Sequence, residues 1–126
     1  MFFIDILSRT PVYEQIINQI EDYVSKGILK SGDKIPSVRA LSVKLSVNPN
    51  TIQKAFSELD SKGVIFSVPG RGCFISENAA ETVKGKKREK LTDLINLCSE
   101  LKIAGITKEE IIKEITAVYE NKGGKE

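Results

Sequence analysis

Between residues 36 and 76 the chain reads PSVRALSVKLSVNPNTIQKAFSELDSKGVIFSVPGRGCFIS, two short stretches with apolar residues at helical spacing, then two β-rich runs around a turn. Few small folds accept that order. Ser37 can cap the free amides of a first helix that carries Val38, Leu41 and Leu45 on one face and is expected to end near Ser46 and Val47. Asn48 is placed to cap a second helix opening at Pro49, where proline lacks only an amide that would be unpaired anyway. Ile52, Ala55, Phe56 and Leu59 form the apolar stripe of that helix, and Gly63 supplies the left-handed residue that stops it. Residues 64–68 and 73–76 are rich in β-branched and aromatic side chains. They flank Pro69, Gly70, Arg71 and Gly72, with Pro69 and Gly70 suited to the central positions of a type II turn. The parts are those of a winged helix-turn-helix.

The remaining sequence frames this head. Thr10 and Pro11 read as cap and first position of an opening helix with Tyr13, Ile16, Ile17, Ile20 and Val24 as its core side, closing at Lys26 and Gly27. Ser31, Gly32 and Asp33 mark a turn, and Ile35 and Pro36 aim the next helix. Asn78 and Glu81 stand at capping-box spacing, so a helix is expected from Ala79 to Ile103. Within it Lys84, Lys86, Lys87, Arg88 and Lys90 read as a solvated face, with contact to DNA phosphates as the alternative. Leu91, Leu94, Cys98 and Leu101 follow an a/d heptad pattern with Ile95 alongside, and Gly105 ends the helix. Thr107 and Glu110 are a second capping box for a last helix with Ile111, Ile112, Ile115, Val118 and Tyr119 on its apolar side, and residues 121–126 are expected to fray. The expected fold is mainly α with a small β hairpin: an N-terminal winged helix-turn-helix over residues 1–77 and a C-terminal two-helix dimerisation module over 78–126. Two helices this short cannot bury their stripes alone. Leu91, Leu94, Ile95, Cys98, Leu101, Ile111, Ile115, Val118 and Tyr119 are therefore assigned to a homodimer interface, with packing back on the head as the alternative.

Composition narrows the function. No histidine occurs anywhere and the two cysteines stand alone, so neither a metal site nor a disulfide framework is expected and no cofactor is called for. There is no nucleophile motif or phosphate loop, which argues against an enzyme. The apolar start of the chain contains Asp5 and is too short for a bilayer span or a signal sequence, so no membrane partner is expected and the protein should be cytoplasmic. A formal net charge of +2 is uninformative, but its distribution is not. Residues 34–72 carry six cations against two acids, and residues 1–33 carry three against five. The basic excess lies on the head, as binding to a phosphate backbone requires.

These segments together carry a family likeness. PVYEQI at residues 11–16, SGDKIPSVRALS at 31–42, VNPNTIQKAFSELDSKGVI at 47–65 and GRGCFI at 70–75 resemble the GntR family of bacterial transcription regulators, and the short two-helix tail resembles its YtrA subfamily. The resemblance implies a homodimeric DNA-binding regulator, a repressor by expectation, acting on an inverted repeat in double-stranded DNA; relatives of this type often sit with transporter operons. It also implies DNA contacts by Arg39, by Asn48, Asn50, Thr51 and Gln53, and by Gly70 and Arg71 at the wing tip. Pro49 is a departure, because several relatives carry a base-reading arginine there, so their target sequences do not transfer to this chain.

Helix geometry supports part of this assignment independently. Steps of 100° from Ile52 place Asn50, Lys54 and Ser57 opposite the core stripe with Gln53 at its flank. Asn50 and Gln53 can each read adenine with two hydrogen bonds, and Lys54 can reach guanine or phosphate. Ser37 and Thr51 lie at helix starts, where they serve as caps or phosphate contacts. Arg39 can meet a base edge or a phosphate, and Arg71 can enter the minor groove. The competing reading is a winged-helix adaptor whose basic wing meets an acidic protein. A small-molecule effector held between protomers is left open.

Overall fold

A computed structural model describes residues 2–121. The first helix, α1 (Val12–Ser25), turns Ile16, Ile17, Ile20 and Val24 into the core. Thr10 does not cap it: Pro11 occupies the N-cap position without a side-chain hydrogen bond, and the Thr10 carbonyl instead accepts from Gln15 Nε2 at 2.9 Å. Gln15 also bonds both backbone groups of Asp5, and Gln19 bonds both of Phe3. Two glutamines one turn apart thus hold the N-terminal segment along α1 and seat Phe2 edge-on against Tyr23, with ring centroids 5.5 Å apart.

The helix pair follows the sequence pattern. α2 (Val38–Leu45) is capped by Ser37 Oγ, which accepts from the Ala40 amide at 3.0 Å, and ends at Ser46 in the left-handed conformation. α3 (Pro49–Ser61) is capped by Asn48 Oδ1 on the Asn50 amide at 2.8 Å. Its stripe of Ile52, Ala55, Phe56 and Leu59 is buried, and Gly63, at φ +82°, turns the chain out of the helix. The hairpin forms from β2 (Ile65–Val68) and β3 (Gly72–Ile75), joined through Pro69 and Gly70, with the Arg71 amide donating to the Val68 carbonyl at 2.9 Å. Gly70 at φ +80° completes the type II turn.

A third strand adds to the expected hairpin. β1 (Lys34–Ile35) pairs antiparallel with β3, so the sheet order is β1-β3-β2. Ile35, Ile65 and Ile75 face the core, while Lys34, Phe66 and Phe74 share the outer face. On that face Phe66 and Phe74 stack with centroids 5.7 Å apart.

The expected helix over residues 79–103 is divided. α4 (Ala79–Arg88) and α5 (Lys90–Ile103) are separated at Glu89, where the Thr92 amide reaches back only three residues. Between Val83 and Leu91 no apolar residue tethers the helix, which is where the regular pattern lapses. No Asn78–Glu81 capping box forms; Asn78 contributes its backbone carbonyl, which accepts from the Thr82 amide. α4 belongs to the head: Ala79 and Val83 are buried in the same core as α1, and the chain divides after Lys87 rather than at residue 77. The second unit contains α5 and α6 (Lys108–Glu120). Gly105 lies just beyond the end of α5 at φ +93°, and the Thr107–Glu110 capping box is formed in both directions. Of residues 121–126, expected to fray, 122–126 lie outside the described residues.

The basic run of α4 corrects a further expectation. Glu21 on α1 is 1% exposed, and Lys86 Nζ reaches its Oε2 at 2.6 Å. Lys87 lies 3.8 Å from Glu21 and 3.9 Å from Asp22. Two of the cations expected to be solvated therefore neutralise a buried carboxylate and fasten α4 to α1. Lys87 stays within 3.8 Å of Glu21 when Lys86 is removed, so Lys86→Met should lower unfolding free energy by about 2 kcal/mol, the worth of one charge-assisted hydrogen bond. Glu21→Leu combined with Lys86→Met should return to within about 1 kcal/mol of wild type. Urea unfolding of the three proteins checks both values.

Candidate nucleic-acid interface

The polar side of α3 is the centre of the site. Asn50, Gln53, Lys54 and Ser57 are exposed while the stripe one half-turn away is buried, so the helix presents one face to solvent and one to α1. Gln53 Nε2 donates to Ser57 Oγ at 3.1 Å, which joins two of these residues across one turn. Lys54 does not extend freely. Its ammonium lies 3.9 Å from the centroid of the Tyr13 ring on α1, a cation–π arrangement that holds the charge beside the root of the helix.

Around α3 the other expected residues divide by what their side chains already do. Ser37 and Asn48 are exposed caps whose acceptor oxygens are engaged by helix amides, leaving the serine hydroxyl hydrogen and the asparagine NH2 group to donate outward. Thr51 is half-buried in the first turn of α3, where Asn48 and not Thr51 is the cap. Arg39 is exposed on the first turn of α2 and makes no ion pair among the described residues. Gly70 and Arg71 are exposed at the tip between β2 and β3. The N-terminal amides of α3 lie in the same stretch as Asn48, Asn50 and Thr51, an arrangement that favours an anion.

Two residues that neighbour the candidate site were not assigned to it in sequence. Tyr13 reads as a stripe residue of α1, and nothing in local sequence says that Lys54 will settle on it. Lys34 lies in β1, and its stem passes over Gly72 at the base of the wing.

A buried helical scaffold, a polar helix face and a basic turn beside it are the geometry of a winged helix-turn-helix. The family described as bacterial regulatory proteins, gntR family, matches residues 12–75, from the start of α1 to the end of β3. The chain belongs to the GntR family. It is 46% identical to the HTH-type transcriptional repressor YtrA of Bacillus subtilis over 99% of this chain and 98% of that protein, which places it with the YtrA-like members. Its structure is similar to a GntR family transcriptional regulator from Listeria monocytogenes, with TM-score 0.72 and 37% identity over 91% of this chain and 99% of the other. The head is also similar to the DNA-binding domain of AraR in complex with operator ORX1, with TM-score 0.53 and 32% identity over 60% of this chain and 93% of that domain. This GntR-family protein is accordingly a DNA-binding transcription regulator, and no helix among its described residues is long and apolar enough to cross a membrane.

The cap of α3 ties stability to the site. Asn48→Ala should cost about 1 kcal/mol of unfolding free energy, and Asn48→Asp, which keeps the acceptor, should cost only a few tenths. The urea midpoints of the two variants distinguish a capping side chain from a merely exposed one.

Proposed function

We propose that the protein is a cytoplasmic repressor that binds an inverted-repeat operator as a homodimer, each head reading one half-site. The observation that supports the base-reading role is the division of α3 into a buried stripe and an exposed polar face of Asn50, Gln53 and Ser57. In this reading α3 enters the major groove, where Asn50 and Gln53 pair with base edges. Ser37, Arg39, Asn48 and Thr51 hold phosphates around the entry of the helix, and the wing lays Gly70 and Arg71 along the adjoining backbone. Lys54, resting over the Tyr13 ring, supplies a positive charge at the flank of the groove.

The second unit supports the dimer. No described residue of α5 or α6 is buried, although both helices carry full apolar stripes. Ile95 is 64% and Tyr119 87% exposed. A groove of about 450 Å³ between the two helices is lined by Leu94, Leu97, Cys98, Leu101 and Ile111. Helices of this length are not stable in water without burying such a face. The same face on a second copy is the occupant that also gives the two-fold symmetry an inverted repeat demands.

Two measurements test the reading. Gln53→Ala should change the preferred base at one position of each half-site, at a cost of about 1–3 kcal/mol, while Arg71→Ala weakens binding to all sequences alike. Binding-site selection on both variants reads this directly, and identical selected sequences with unchanged affinities would sink the assignment. Leu94→Glu with Ile95→Glu should sediment as a monomer and lose roughly a hundredfold in affinity for a two-half-site duplex, while retaining affinity for a single half-site. A variant that stays dimeric contradicts the assigned interface.

A further inference from the structure

The outer face of the small sheet carries a cation that the DNA-reading surface described above does not use. Lys34 opens β1 opposite Phe74 of β3, and its exposed side chain runs diagonally toward the turn. A Cβ built on Gly72 would lie 3.0 Å from Lys34 Cε and 3.8 Å from its Nζ. The lysine stem therefore crosses β3 at the one strand position without a side chain, where φ is +118°. Its ammonium is delivered to the base of the wing, next in sequence to Arg71. None of the residues of β1, β2, β3 or the intervening turn is acidic. The neighbouring Asp33 is turned into its own loop, where Oδ2 accepts from the Lys30 amide at 2.8 Å, and Lys34 makes no ion pair among the described residues. A long cationic side chain is thus laid over the glycine that follows Arg71, with no ion pair to an anion among the described residues.

We propose that Lys34 is a further DNA contact of this protein, binding a backbone phosphate beside the wing, and that Gly72 is the opening through which its stem reaches that position. The inference rests on the reading of the head as a DNA-binding surface. A lysine ammonium is a compact point charge suited to a phosphate oxygen and carries no bidentate base code. Lys34 therefore adds affinity without adding sequence preference.

The experiment measures affinity for one selected duplex across a series of salt concentrations for wild type, Lys34→Met, Lys34→Arg and Arg71→Ala. Lys34→Met is expected to reduce the slope of log K against log[salt] by about 0.9, the signature of one lost phosphate contact, with the selected sequence unchanged. Lys34→Arg is expected to restore the slope, which a purely structural role for the stem would not require. Circular dichroism melts confirm that the variants are folded. A wild-type slope for Lys34→Met alongside a reduced slope for Arg71→Ala would overturn the proposal and leave the DNA reading standing. Duplex binding by the wild type that does not depend on salt would overturn both.

Discussion

The packing of α1 against α3 is the contact on which the exposed polar face of α3 depends. A helix can offer a fixed polar face to a groove only when its opposite face is immobilised, and here Ile52, Ala55 and Leu59 are buried in one core with Ile16 and Ile20. The wing is set from the same helix. Gly63 reverses the chain, the Val64 amide bonds to the Leu59 carbonyl at 2.9 Å, and the Ser76 amide returns to the Val64 carbonyl at 2.9 Å. The turn carrying Arg71 is thus referenced to α3 through a short series of rigid connections. The Lys54 ammonium also rests against α1, over the Tyr13 ring.

Local sequence makes visible what is locally determined. The Ser37 and Asn48 caps, the stripe of α3, the stop at Gly63, the Pro69–Gly70 turn and the Thr107–Glu110 box each depend on residues close together in sequence, and all are present. β1 escaped notice because two residues with one apolar side chain have no periodicity; they become a strand only when β3 provides the partner. Glu21 is the sharper case. A carboxylate between Ile20 and Asp22 reads as surface, and what allows its burial is Lys86, 65 residues away. That pair also moves the structural division of the chain beyond residue 77, because α4 is bound into the head by Ala79, Val83 and the ion pair before the chain leaves it.

The candidate site was legible to the same degree and for the same reason. Exposure of Arg39, Asn50, Gln53 and Arg71 follows from helical periodicity and turn chemistry, both local. Which of those side chains is free and which is engaged does not. Ser37 and Asn48 spend their acceptors on caps, Lys54 rests on an aromatic ring from another helix, and Lys34 crosses a strand through a gap left by a glycine. The second unit makes the complementary point: its stripes are plain in sequence, and the structure of one chain leaves them uncovered. Those uncovered stripes are the ground for the homodimer proposed above.

The central claim is that two such heads read two symmetric half-sites through α3. Selection of bound duplexes from a random library by the wild-type protein tests it most directly. The account predicts enrichment of a single motif with two-fold symmetry and a fixed spacing between half-sites. Recovery of duplexes with no shared motif, or of one unpaired half-site at full affinity, would contradict it.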